Sequence, residues 1–276
     1  MKKLSALLLA LVMMLCCFAA CTSGEGDTTT AAAGTTAADV TTGADVTTEA
    51  AKVDPNAKDE GVLTYAEFMA LETGKDCVIE AFVQAKYSYA EAYGNTSLYL
   101  ADGDGAYYVY RWTCSADEYN AIPVGAKVKV TGVKADYKGE VEVSNVTALE
   151  VVGEDKYVAD ILDVTSKLAS EDLVKDQNKF VAVKGAEIVA STLDGKEVGS
   201  LYSYNGSGSK GSDVYFKLKV GDGVYTYLVE SDFCGVDTPV YAAAEGLKVG
   251  DKVDIEGFLY WYDGAQMQVT SITASK

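Results

Sequence analysis

Nineteen tyrosines and not one histidine bound the chemistry open to this 276-residue chain. Without histidine there is no Ser-His-Asp or Cys-His nucleophile, no His-ligated zinc or haem, and no ordinary proton shuttle near neutral pH. What remains in quantity is phenol and carboxylate. Tyr87, Tyr89 and Tyr93 crowd one stretch, and Tyr202 and Tyr204 precede Asn205-Gly206-Ser207-Gly208-Ser209. Asp136-Tyr137-Lys138-Gly139 is a third such stretch, and Tyr260-Trp261-Tyr262-Asp263-Gly264 is the densest aromatic cluster. Exposed aromatic planes stack on sugar rings or bases, while hydroxyls and Asn or Asp side chains give direction. Tyrosine is also a favoured strand residue, so Tyr137 and Tyr262 equally suit packing.

Charge narrows the ligand. The chain carries 41 acidic and 23 basic residues, a formal charge of −18, and Arg111 is its only arginine. Affinity for nucleic acid comes largely from phosphates neutralised by Lys and Arg, so that partner is disfavoured. A neutral carbohydrate, a peptide or a cationic partner fits better. Asp102-Gly103-Asp104-Gly105 has the oxygen ligands that calcium takes, but Ala106, Tyr107 and Tyr108 supply no acid to complete a loop. It reads instead as a hairpin turn. Gly206-Ser207-Gly208-Ser209-Lys210-Gly211 lacks the order of a phosphate-binding loop. No two carboxylates stand out as a glycosidase pair. Cys77, Cys114 and Cys234 read as packing residues, with little nearby to depress a thiol pKa. The expectation is a binding protein with no catalytic set, no metal and no cofactor.

The N-terminus reads as an address. Lys2 and Lys3 precede an apolar run from Leu4 to Ala20, and Phe18-Ala19-Ala20-Cys21 resembles a bacterial lipobox, with Phe18 where Leu is usual. That resemblance implies a signal peptide over 1–21, lipidation of Cys21, and a mature protein anchored at the extracellular face of the cell membrane. Residues 22–60 hold 10 Thr, 9 Ala and 8 acids, with Val40, Val46 and Val53 as the large aliphatics. A stretch so poor in apolar surface cannot offset its chain entropy and is expected to be disordered, a coil spanning about 35 Å. Beyond it, 33 acids face 19 bases, so the acidity belongs to the folded part.

The elements that must hold the aromatics repeat. Residues 124–139 and 249–264 are identical at seven of 16 positions: Val124/Val249, Gly125/Gly250, Lys127/Lys252, Val128/Val253, Gly132/Gly257, Tyr137/Tyr262 and Gly139/Gly264. Upstream, Gly103-Asp104-Gly105 matches Gly221-Asp222-Gly223. Alternation and turn residues predict five strands per copy: 77–85, 97–101, 106–112, 127–134 and 140–149, then 180–190, 214–220, 224–230, 252–260 and 266–272. Thr64 and Glu67 predict a capped helical turn ahead of the first set, with a weaker counterpart at Ser170.

The five-strand pattern, the tight second hairpin and the Val-Gly-x-Lys-Val-x-Val/Ile-x-Gly segment followed by Tyr-x-Gly resemble the OB-type (oligonucleotide/oligosaccharide-binding) domains of Gram-positive bacterial surface lipoproteins, over about 62–150 and 158–275. The resemblance implies an all-β protein with short helices, built as two tandem five-stranded OB-like barrels at 61–152 and 153–276. OB folds bind ligands on strands 2–3 and the loops joining strands 1–2 and 4–5. This places Tyr87, Tyr89, Tyr137, Tyr202, Tyr204, Tyr260, Trp261 and Tyr262 as ligand-binding residues for an extracellular glycan or similar polymer, with the platform centred on 260–262. Single-stranded nucleic acid, or a surface protein held by an adaptor, are the alternative partners.

Overall fold

The structure is a computed structural model that describes residues 53–276, and the repeat becomes two closed β-barrels within one compact unit. The signal peptide, Cys21 and residues 22–52 of the expected linker lie outside the described residues. The first barrel opens with helix α1 (Tyr65–Ala70). It continues through β1 (Asp76–Lys86), β2 (Asn95–Ala101), β3 (Ala106–Thr113), helix α2 (Ala116–Ala121), β4 (Ala126–Tyr137) and β5 (Glu140–Lys156). The second begins with β6 (Leu162–Asp163) and two 3-10 turns, Thr165–Lys167 and Glu171–Asp176. Strands β7 (Phe180–Val189), β8 (Ser191–Leu193), β9 (Lys196–Val198), β10 (Ser200–Tyr202), β11 (Val214–Val220) and β12 (Gly223–Val229) follow. Helices α3 (Ser231–Cys234) and α4 (Pro239–Glu245) then lead to β13 (Lys252–Trp261) and β14 (Ala265–Ala274).

Strand order defines the architecture. The first barrel runs β1-β2-β3-β5-β4 and closes through β4 on β1, with β3 and β5 parallel. The second repeats this as β7-β11-β12-β14-β13, closing through β13 on β7, with β12 and β14 parallel. That is the OB arrangement twice over. β10 and β6 extend the second sheet, and β8–β9 is a separate hairpin.

The repeated residues do equivalent work. Gly125 and Gly250 turn the chain onto β4 and β13 at φ +84° and +91°, which side chains with a Cβ rarely adopt. Val128 and Val130, like Val253 and Ile255, then alternate into the barrel interiors. Gly132 and Gly257 follow where each strand must bend. The β4–β5 register slips between Thr131 and Val133, and the β13–β14 register between Glu256 and Gly257. A methyl on Gly132 would meet Val143 Cγ1 at 2.7 Å and Ser144 O at 2.8 Å; one on Gly257 would strike the Gln268 carbonyl. Each bulge lets a short barrel close.

Three features depart from expectation. Helices fill the step from third to fourth strand in both copies. The capping box of Ser115 and Glu118 starts α2, and the Thr238 cap with Pro239 in the first turn starts α4. The expected linker end at residue 60 falls too late, because the Lys58 ammonium is buried in the first barrel. It donates to Asp102 Oδ2 at 2.7 Å and to the Glu80 carbonyl at 2.5 Å. Asn56 adds a second tie, accepting from Gly103 N at 2.8 Å and donating to Asp104 Oδ1 at 3.1 Å. Finally, the barrels are not independent beads. Besides one core in each, a third cluster of Tyr87, Tyr99, Tyr108 and Phe258, flanked by Phe180, Phe233 and Tyr260, lies between them.

Candidate functional site

The seam between the barrels takes up much of the expected platform. Tyr87, at the end of the first strand, is 9% exposed, and its ring stacks on Phe233 with centroids 4.7 Å apart. Its hydroxyl lies 2.9 Å from Glu230 Oε2 and 2.7 Å from Gln268 Oε1. Tyr260 sets its edge against Tyr108 at 5.5 Å. Trp261 is half-buried in the second core, covers Gly139 and donates its backbone N–H to Glu140 Oε2 at 2.8 Å. Tyr137 and Tyr262 meet across the two 4–5 loops with centroids 6.0 Å apart, beside an ion pair of Lys138 and Asp263 at 3.0 Å. Tyr260 and Trp261 are half-buried by these contacts, because part of the outer face of each barrel is pressed on the other.

Among the expected residues, Tyr89 and Tyr204 stay clear of that seam. Tyr204 is 77% exposed on the second 1–2 loop, with Tyr202 half-buried beside it. Tyr89 is half-buried, donating from its hydroxyl to the Cys114 carbonyl at 3.1 Å, and it lines a cleft of about 380 Å³ on the first barrel. Tyr87, Glu91, Tyr93, Tyr108, Tyr110 and Arg111 of the first barrel and Glu230 and Asp232 of the second are among its other lining residues. Tyr93 stands 80% exposed at the tip of the 1–2 loop. A bulge in the β2–β3 pairing, where the register slips between Thr96 and Leu98, turns Tyr110 and Arg111 towards this side. Arg111 pays for the turn with a φ of +49°, and its N–H donates to Ser97 Oγ at 3.0 Å. Its guanidinium lies over the Tyr110 ring, 4.9 Å from the centroid.

The cleft thus combines ring faces, one cation and acids from both barrels. Burial pushes the Glu230 carboxyl up to about 7, against the donated bond from Tyr87 that favours the ionised form. Burial raises the phenols of Tyr87 and Tyr108 as well, so they remain neutral hydroxyls over the physiological range. The arrangement offers stacking surfaces, hydrogen-bond donors and acceptors at fixed positions. The three thiols among the described residues are free and buried or half-buried, with Cys77 pushed up to about 11 and Cys234 to about 12 by burial.

Sequence reasoning left Tyr93, Tyr108, Tyr110, Arg111 and Glu230 out of the expected set. Tyr107-Tyr108-Val109-Tyr110-Arg111 carried the signal, since a strand with rings on both faces needs a cover on each.

No protein-family model matches the chain, and no curated protein does. Solved structures show only a distant likeness to it. The hypothetical protein ygiW from E. coli is 16% identical, covering 33% of this chain and 89% of its own, at a TM-score of 0.26. A murine DNA-binding protein bound with double-stranded DNA is 12% identical, covering 72% and 98%, at 0.33. Aspartyl tRNA synthetase from Entamoeba histolytica is 18% identical over 36% of this chain, which spans 22% of that enzyme, at 0.29. At these TM-scores the fold assignment rests on the strand order itself. The protein is a tandem OB-fold protein.

Proposed function

We propose that this protein is a non-catalytic, lipid-anchored binding protein at the extracellular face of the membrane, holding an extracellular glycan or similar polymer in the tyrosine-lined cleft of its first barrel. The observation that carries the reading is the grouping of Tyr89, Tyr93 and Tyr110 around a cleft of about 380 Å³ on the 1–2 loop and the β2–β3 face. OB folds receive ligands there. A ring face suits a pyranose, and Asn95, Asp232 and the Tyr hydroxyls suit its hydroxyls. The charge of −18 favours an uncharged polymer over a polyanion. The lipobox-like Phe18–Cys21 segment and the Thr-rich tether support display at the cell surface.

Affinity electrophoresis through gels containing neutral polysaccharides tests the binding. The wild type should be retarded, and Tyr93→Ala with Tyr110→Ala should restore free migration while leaving thermal unfolding in place. Tight binding of single-stranded DNA at physiological salt, with a steep salt slope, would overturn the glycan reading. Cys21→Ser should release the protein to the medium; retention in the membrane fraction would contradict lipid anchoring.

A further inference from the structure

The 1–2 excursion of the second barrel does not build an aromatic cleft. Strands β8, β9 and β10, the segment from Gly206 to Gly208 and the end of α4 line an open cavity of about 590 Å³. Pockets of roughly 300–1,000 Å³ are the usual size for small ligands. Its apolar lining includes Leu193, Val198, Leu201 and Leu247, of which Leu193, Val198 and Leu201 keep part of their surface open to solvent.

Two carboxylates, Glu197 and Glu245, line this cavity with Lys248; Glu197 and Lys248 are exposed at its edge, while Glu245 is held in a fixed position. Tyr202 donates its hydroxyl to Glu245 Oε1, and that bond is the largest of the causes that raise the Tyr202 phenol to about 12. The other oxygen, Oε2, has as its nearest cation the Lys210 ammonium at 3.7 Å, too far for a hydrogen bond. Lys210 is 67% exposed and belongs to the glycine-rich loop that also lines the cavity at Gly206 and Gly208. The cavity therefore joins an aliphatic wall to an anchored anion, and the fold's own lysine already stands at the anion's outer side.

We propose that this cavity is a binding site for a primary alkylammonium group, the aliphatic stem lying along Leu193, Val198 and Leu201 and the ammonium on Glu245 in competition with Lys210. The site is separate from the cleft of the first barrel and does not depend on the glycan reading. Lysine side chains are the commonest carriers of such a group. The match follows from charge complementarity: an ammonium at the end of a carbon chain satisfies both wall and anion, whereas a carboxylate would meet Glu245 with like charge.

Calorimetric titration of the full chain with n-hexylamine, n-hexanol and hexanoate at neutral pH is the test. Hexylamine should bind saturably and roughly tenfold more tightly than hexanol, the usual size of one charge-assisted hydrogen bond. Hexanoate should not bind. Glu245→Gln should bring hexylamine down to the hexanol affinity without altering hexanol, and Lys210→Ala should tighten hexylamine by removing the competitor. Equal affinity for amine and alcohol in the wild type would overturn the proposal. So would an amine preference that survives Glu245→Gln, or the absence of saturable binding by amine and alcohol alike. Far-ultraviolet circular dichroism of each variant confirms that the barrels are intact.

Discussion

Tyr99 of the first barrel and Phe258 of the second lie face on face, their ring centroids 4.3 Å apart and their planes 11° from parallel. The Tyr99 hydroxyl continues across the seam to Gln268 Oε1 at 2.5 Å, and the Gln268 amide donates to Glu230 Oε2 at 2.6 Å. Both rings are buried. Phe258→Ala should therefore cost about 3–5 kcal/mol and act on both barrels. Calorimetry of the wild type should give one cooperative transition, and the variant should split it into two.

The Lys58–Asp102 pair makes a separate case. Its side chains are 9% and 1% exposed, and Asp102 also accepts from Tyr107 Oη at 2.8 Å and from the backbone of its own hairpin. Lys58→Met leaves that carboxylate buried without its cation, a loss of about 3–5 kcal/mol in urea denaturation. Removing residues 53–60 altogether should give a similar loss, although composition places them in a tether.

Stability should fall as pH rises through neutrality. Burial lifts Glu140 to about 8, and Glu142 and Glu230 each to about 7, all above the ordinary value of 4.5. A group whose folded pKa is raised contributes its stability fully below the unfolded pKa and loses it as pH climbs through the folded one. The window is thus about pH 4.5 to 8. Glu140 Oε1 is buried without a hydrogen-bond partner, so the bond that Oε2 accepts from Trp261 N–H offsets the burial of the ionised form only in part. Glu140→Gln should flatten the profile above pH 7 and melt higher than the wild type at pH 8.5. Asp163, Asp176 and Asp254, held low by their partners, act in the opposite sense in acid.

Gly132→Ala should destabilise without touching either proposed site. The added methyl meets Val143 Cγ1 at 2.7 Å and the Ser144 carbonyl at 2.8 Å, which the β4–β5 ladder holds in place. Overpacking of this kind costs typically 1–3 kcal/mol. The measurement is a urea midpoint that drops while polysaccharide retardation at a matched folded fraction stays the same.

The strands were legible because each presents one face to a barrel interior. Val214–Val220 falls where alternation put it, and eight of the nine other expected strands lie within a few residues of their bounds, the exception being β5, which runs on to Lys156. The seam was not legible, because period-2 alternation separates inside from outside but cannot say whether the outside is water or a second barrel. Ser97-Leu98-Tyr99-Leu100-Ala101 held the clue: all five residues are buried, as in strands covered on both faces. Trp261 is ambiguous for the same reason. A ring on a barrel rim satisfies the expectation of a ligand platform equally well when the ligand is the neighbouring 4–5 loop. Helix α2 was missed although Ser115 and Glu118 spell its cap, since a six-residue helix buries no residue and leaves no apolar period.

Lys58 also settles where a mechanical load enters the fold. A pull from the N-terminal side reaches the first barrel at an ammonium lodged between Asp102 and the Glu80 carbonyl, with the Asn56 side chain on Gly103 and Asp104 just upstream. Traction is thereby shared between β1 and the β2–β3 turn before it reaches α1, and Tyr93, at the far end of β2 from that turn, is spared the strain.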